Sequence, residues 1–243
     1  MLLKRIIMAH SRIYNLDVEH VDKNKTLRLS NLFLMFQEIA QEHAELLDIG
    51  KDKVFNNGRK WIITRYKTKI IRMPKFGERV TLYTYPGKNN PFFFYRHFYL
   101  KDEKGNIIAI SSSIWAILDE KTNKIIVNPF GKNLPEESTD FELDIPNKIE
   151  EDASNKIKEH KLEYSDIDIN GHLNNTRYIE LIQNLHNSEF YKDNEIDSII
   201  LNYFSEIKED ETVSLYLDKT DKKEIIKGAV NARDCFKAII TYK

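Results

Sequence analysis

The predicted elements of this 243-residue chain occur in the same order twice. Apolar residues at three- and four-residue spacing predict a helix in "TLRLSNLFLMFQEIAQEHAELLDIG", and four strand-like runs separated by turn residues follow it. After a polar segment that contains prolines, a shorter helix and four more strand-like runs repeat this order. A repeated series of one helix and several strands is typical of a duplicated unit, so we expect two similar halves, each a helix on an antiparallel sheet.

The two helix segments also align residue by residue, with their apolar positions in the same phase. One position differs in chemistry, because Thr26 stands in the first segment where the second has His172. Chance similarity between two amphipathic helices is the alternative, but the later match of "GERVTLY" with "DETVSLY" favours duplication. Only the second half then keeps the histidine. The matched polar and apolar pairs are Asp22 with Asp168, Asn24 with Asn170, and Leu27 with Leu173.

Composition excludes several classes of protein. The formal net charge of −1 lacks the basic excess of a nucleic-acid binder. The single cysteine, Cys235, cannot form an internal disulfide or a thiolate metal cluster. The apolar start is short and is interrupted by Lys4 and Arg5, which is untypical of a signal peptide, and no long uncharged apolar segment follows. We therefore expect a soluble cytoplasmic protein without a metal or cofactor.

The segment "SDIDINGHLNNTRYIELIQ" has the densest polar pattern, and three interpretations are open. Its acidic residues resemble the start of a calcium-binding loop, but the twelfth position, which needs a glutamate, is Arg177. A second interpretation is a capped helix, with Asn174 or Asn175 as the cap and Gly171 in a turn. This interpretation does not require His172.

The third interpretation is chemical. Asp168, Asn170 and His172 are spaced by two, so on an extended segment all three side chains point to one side. A carboxylate and an imidazole can activate a water molecule, and an amide or the N–H groups of a helix start can bind a developing oxyanion. This set predicts hydrolysis of an activated acyl group by water or by a carboxylate, since no serine or cysteine nucleophile accompanies it.

The stretch "DIDINGHLNNTRYIE" resembles the acyl-ACP thioesterase family, and weaker similarity covers nearly the whole chain. The resemblance implies an α+β fold with two tandem hot-dog domains, each an antiparallel sheet wrapped around a long helix. It places an acyl-binding domain at 1–130, a linker at 131–152 and a catalytic domain at 153–243. The implied activity is hydrolysis of acyl-acyl carrier protein to free fatty acid. An acyl-CoA thioesterase and a non-catalytic acyl-binding protein stay open as alternatives.

The resemblance also implies particular site residues. The strand "LNYFSEI" is similar to the family strand that ends in a catalytic glutamate, which adds Glu206 to Asp168, Asn170 and His172. Many plant members have a cysteine directly after that glutamate. This chain has Ile207 there, and Cys235 reads as a buried, inert thiol, which disfavours a thiol mechanism. The family's acyl tunnel implies substrate contacts in the first half, with ordinary core as the alternative, for Phe33, Phe36 and Trp61.

The implied partner is an acyl carrier protein, and a homodimer is left open. Carrier proteins are acidic, so we expect a local cluster of positive charge. On a strand, Arg65, Lys67 and Lys69 share one face and are the candidates for docking. A solvated sheet face is the alternative interpretation. A second basic group competes for the role, consisting of Lys219, Lys222, Lys223 and Lys227.

Overall fold

The computed structural model describes residues 9–130 and 143–243. The first half contains β1 (His10–Asn15), α1 (Leu29–Leu46), β2 (Arg59–Ile70), β3 (Arg79–Pro86), β4 (Phe94–Lys101) and β5 (Ile107–Asp119). The second half contains β6 (Lys156–Lys161), α2 (Asn175–Gln183), α3 (Ser188–Asp193), β7 (Ile196–Tyr203), β8 (Thr212–Lys219), β9 (Lys223–Val230) and β10 (Arg233–Tyr242). Short 3₁₀ turns occur at Phe55–Asn57 and Tyr164–Asp166. Within these two ranges, no helix has the length and apolar character needed to cross a bilayer.

All ten strands form one antiparallel sheet in which the two halves have the same strand order. The first half runs β1-β3-β4-β5-β2 from its edge to the centre, and the second runs β6-β8-β9-β10-β7. β2 pairs with β7 at the centre, where Lys67 lies opposite Ile200. The helices lie side by side, and the backbone N–H of Ser30 donates to Oε1 of Gln183 at 3.1 Å. The duplication predicted from the sequence is therefore confirmed.

α1 packs its apolar face onto the inner face of the sheet. The ring of Phe33 meets Tyr66 of β2 edge-on, with 4.8 Å between ring centroids, and Phe36 stacks on Phe98 of β4 at 4.8 Å. These aromatic contacts form the centre of the main core and fix α1 against the strands. The predicted phase of the helix is confirmed by four buried positions: Leu32, Phe36, Ile39 and His43.

The segment 143–152 crosses the outer face of the central strands. Its Ile149 N–H donates to Oδ1 of the buried Asn202 at 2.8 Å, and Arg65 donates to the carbonyl of Pro146 at 3.4 Å. The rest of the predicted linker, 131–142, lies outside the described residues, as do residues 1–8. The predicted domain limits at 130 and 153 stay predictions.

The packing of α1 predicts that Phe36→Ala lowers the free energy of unfolding by about 3–5 kcal/mol, because it leaves a cavity between the helix and the sheet. Chemical denaturation measures this change. Phe76→Ala is the matched control, since Phe76 is 48% exposed and should change stability by less than about 0.5 kcal/mol. Equal effects of the two substitutions would contradict the packing described here.

Candidate active site

The polar segment before α2 folds into a compact turn around the carboxylate of Asp168. Its Oδ1 accepts the backbone N–H groups of Asn170 at 2.8 Å and His172 at 3.2 Å, and its Oδ2 accepts Nδ2 of Asn170 at 3.1 Å. Gly171 has φ of +76°, a left-handed conformation that glycine adopts without strain. The extended conformation assumed in the spacing argument is therefore wrong. Asp168 holds the backbone that carries His172.

The start of α2 follows this turn directly. Asn174 caps the helix, because its Oδ1 accepts the backbone N–H of Thr176 at 3.0 Å. The backbone N–H of the next residue, Asn175, donates no hydrogen bond to any acceptor among residues 9–130 and 143–243. The capped helix expected from the sequence is thus confirmed, and it presents one unpaired N–H beside the polar turn.

His172 belongs to a cluster of three charged or titratable side chains. Its Nε2 lies 3.3 Å from Oε2 of Glu206, whose Oε1 lies 2.6 Å from Nζ of Lys60. Lys60 reaches the cluster from β2 of the first half, and its side chain is only 12% exposed. A carboxylate beside an imidazole stabilises the imidazolium that forms when histidine accepts a proton, so this pair can act as a general base. Sequence reasoning did not find Lys60.

Backbone contacts fix the segment that carries Glu206. Arg233 donates to the carbonyl oxygen of Glu206 at 2.7 Å, and the carbonyl of Ile207 accepts the N–H of Leu173 at 2.8 Å. The carbonyl of Cys235 accepts the N–H of Ser205, at 3.2 Å. The Cys235 thiol itself is buried, and burial raises its pKa, so it is a poor nucleophile, as predicted.

The first half contains a turn of the same construction. Oδ1 of Asp22 accepts the N–H groups of Asn24 at 2.8 Å and Thr26 at 3.0 Å. Lys25 takes the left-handed position with φ of +59°. The N–H of Leu27 then donates to Pro74 at 2.9 Å, which is the counterpart of the Leu173 bond to Ile207. The backbone geometry is therefore shared, although Thr26 replaces the histidine.

The counterpart of Glu206 in the first half is Met73. It precedes Pro74 as Glu206 precedes Ile207, and those two residues make equivalent backbone bonds. Extending the "GERVTLY" and "DETVSLY" match back by four residues aligns the two positions, so the sequence alone contains the signal for this correspondence. The first half therefore lacks both titratable groups of the pair.

A cavity of about 470 Å³ lies beside the polar turn. Ile169 and Asn175 contribute to its wall from the second half, and the other wall residues belong to the first half. Trp61 lines it, with its Nε1 donating to the carbonyl of Ile49 at 3.0 Å and its ring meeting Phe94 edge-on. The wall is mainly apolar, which suits an alkyl chain.

The other residues expected to contact substrate lie elsewhere. Phe33 and Phe36 are each 1% exposed, pack in the core between α1 and the sheet, and do not line the cavity. The structure places them as core residues, which was the alternative interpretation. Trp61 alone of the three lies on the cavity wall.

The basic face of β2 forms as expected, but acidic groups neutralise much of it. Lys69 Nζ lies 2.5 Å from Asp197, and Lys67 lies 3.6 Å from Asp144. Arg65 is bound to a backbone carbonyl of the segment 143–152. This face therefore offers less free positive charge than its sequence indicated.

Comparison with known proteins shows to which family the chain belongs. The profile of the acyl-ACP thioesterase N-terminal domain matches residues 8–129, and that of the acyl-ACP thioesterase C-terminal domain matches residues 149–234. The chain belongs to the acyl-ACP thioesterase family. The domain order of the family agrees with the duplicated halves.

Individual members of the family are distant in sequence. A chloroplastic palmitoyl-acyl carrier protein thioesterase of Cuphea hookeriana is 22% identical over 199 residues, which cover 75% of this chain and 48% of that protein. Oleoyl-acyl carrier protein thioesterase 1 of Arabidopsis thaliana, also chloroplastic, is 25% identical over 214 residues, or 79% of this chain and 59% of that protein. The chain spans about half the length of the curated relatives it matches first.

Solved structures of family members have the same fold. An acyl-ACP thioesterase of Bacteroides thetaiotaomicron superposes with a TM-score of 0.89 at 22% identity, covering 100% of both chains. The 12:0-ACP thioesterase of Umbellularia californica superposes with a TM-score of 0.81 at 16% identity, covering 97% of both. The predicted α+β fold with tandem hot-dog halves is thereby confirmed.

The turn geometry predicts that Asp168→Ala exposes the N–H groups of Asn170 and His172 to exchange with solvent. Loss of a hydrogen bond worth about 1 kcal/mol should speed amide exchange at these two positions by about fivefold. Hydrogen exchange followed by NMR measures this. Asp22→Ala is the matched control, and it should act on the first-half turn only. Unchanged exchange at Asn170 and His172 would show that the carboxylate does not hold the turn.

Proposed function

We propose that the protein hydrolyses acyl thioesters carried by acyl carrier protein and releases free fatty acid. The observation that carries this proposal is the His172–Glu206 pair, because the segment that carries His172 borders an apolar cavity through Ile169 and Asn175. Membership of the acyl-ACP thioesterase family supports it. Curated relatives in that family are acyl-ACP hydrolases, which supports an enzyme over a non-catalytic binding protein.

In the proposed reaction, water is the nucleophile. His172 accepts a proton from the water as its oxygen attacks the thioester carbonyl carbon, and Glu206 stabilises the resulting imidazolium. The carbon–sulfur bond then breaks, and the leaving sulfur takes the proton from His172. The products are a fatty acid and the free thiol of the carrier, so the enzyme returns to its starting protonation state.

The developing oxyanion needs a hydrogen-bond donor. The backbone N–H of Asn175 suits this role, because it lies at the start of α2, borders the cavity and has no acceptor among the described residues. The side-chain amide of Asn170, the other predicted donor, already binds Asp168. We therefore assign Asp168 and Asn170 to holding the turn, and His172 and Glu206 to proton transfer.

The carrier protein and the cellular context rest on weaker support. Docking at Arg65, Lys67 and Lys69 stays a prediction, and the acidic partners of both lysines count against it. The cytoplasmic location and the homodimer also stay predictions. Thiol release from acyl-ACP and acyl-CoA with the same chain identifies the carrier, and we expect faster release from acyl-ACP.

His172→Ala should lower kcat for acyl-ACP by about a hundredfold or more, because it removes the general base. Thiol release in the steady state measures this. His20→Ala is the control, since His20 pairs with Asp17 on the surface of the first half and should leave kcat unchanged. A His172→Ala variant with near wild-type turnover would contradict the assignment.

Lys60→Met should lower kcat by about tenfold, because the ion pair that orients Glu206 is lost. Lys60→Arg, which keeps the charge, should restore most of the activity. Thiol release in the steady state gives kcat and KM separately. An unchanged kcat with a raised KM would show that Lys60 does not orient Glu206.

A further inference from the structure

The cavity wall contains one charged group that the proposed reaction does not use. Arg96 of β4 lines the cavity and is 7% exposed. No carboxylate among residues 9–130 and 143–243 lies within ion-pair distance of its guanidinium. Glu45, the one acid on the wall, accepts the backbone N–H of Lys51 at 2.8 Å instead. Arg96 is therefore a buried cation without a counter-charge in the described protein.

The guanidinium is only partly satisfied by hydrogen bonds. Its Nη1 lies 3.0 Å from Nδ1 of His43 and 3.1 Å from Oγ1 of Thr84. Its Nη2 and Nε have no hydrogen-bond partner among the described residues. Burial lowers the pKa of Arg96 to about 10, so it stays protonated at neutral pH. Burying a charge is costly unless a partner compensates it.

A second buried donor lies on the same face of the sheet. Tyr66 and Arg96 flank Ser113 of β5 in register, one from β2 and the other from β4. The Tyr66 hydroxyl is buried without a hydrogen-bond partner, and burial raises its pKa while the charge of Arg96 opposes the rise. Arg96 lines the cavity and Tyr66 does not, so the unpartnered N–H groups of the guanidinium are the donors that an acceptor on a ligand could reach.

We propose that the cavity takes an acyl chain that carries an oxygen acceptor away from its thioester, and that this oxygen binds the guanidinium of Arg96. The proposal rests on the proposed function for the acyl nature of the ligand. Ile169 and Asn175 line the cavity from the second half, which carries His172, whereas Arg96 lines it from the first half. A hydroxyl, keto or carboxylate group on the chain would supply the missing acceptor. A plain alkyl chain would leave the guanidinium against methylene groups.

Binding can be measured without hydrolysis. The probes are pantetheine thioethers, which cannot be hydrolysed, with chains of equal length that end in a methyl, a hydroxyl or a carboxylate group. Both tryptophans of the chain, Trp61 and Trp115, line the cavity, so intrinsic fluorescence reports occupancy. We expect the hydroxyl and carboxylate probes to bind the wild type about tenfold more tightly than the methyl probe, as a charge-assisted hydrogen bond predicts.

Arg96→Met should remove this preference and leave binding of the methyl probe unchanged or tighter. Arg79→Met is the matched control, since Arg79 is an exposed arginine on β3, and it should keep the preference. If Arg96→Met does not fold, Arg96→Lys should reduce the preference, because it loses the planar fork.

Equal wild-type affinities for the three probes would overturn the proposal, as would a failure of all three to bind. A uniform loss in Arg96→Met would assign Arg96 a structural role and also overturn it. Selective binding by a protein that hydrolyses no thioester would overturn the proposed function alone.

Discussion

The pairing of β2 with β7 is the interaction on which the active site depends. Arg65 lies opposite Asn202, and the strands run antiparallel. Lys60 lies earlier on β2 and Glu206 lies just after the end of β7, and the Lys60 Nζ is 2.6 Å from Oε1 of Glu206. The central strand pair therefore joins the halves into one sheet and also delivers a cation from the first half to a carboxylate of the second. Neither half contains the complete cluster.

The two turns before α1 and α2 have the same backbone hydrogen bonds but different side chains. Asp22 and Asp168 each accept two backbone N–H groups of their own turn, so the turn forms whether Thr26 or His172 stands in it. The two halves differ at two positions of the proposed site, where Thr26 and Met73 of the first half correspond to His172 and Glu206. The first half instead supplies most of the cavity wall. Only the second half therefore carries the side chains proposed for proton transfer.

Much of the fold could be predicted from the sequence, because its signals are local. Three- and four-residue periodicity located α1, turn residues separated the strands, and the repeated order indicated two halves. His172 was found because its pattern is compact along the chain. Lys60 and Arg96 were not found, since each acquires its role only when distant strands come into register.

Two local patterns did not determine the geometry. The alternation of Asp168, Asn170 and His172 suggests an extended segment, but the short-range hydrogen bonds of an aspartate favour a turn. The sequence leaves both a tunnel and an ordinary core open for Phe33 and Phe36, because the apolar face of a helix has the same pattern in either environment. Only tertiary packing distinguishes the two environments.

We propose that the chemistry takes place at one composite site, which is built on His172 and Glu206 of the second half and completed by Lys60 of the first half. Its most direct test gives the second half the side chains of the first, with His172→Thr and Glu206→Met in one protein. Thiol release from acyl-ACP and fluorescence binding of a pantetheine thioether are measured together. We expect turnover to fall at least about a hundredfold while the probe binds as in the wild type. Substantial turnover in this variant would show that the reaction takes place elsewhere.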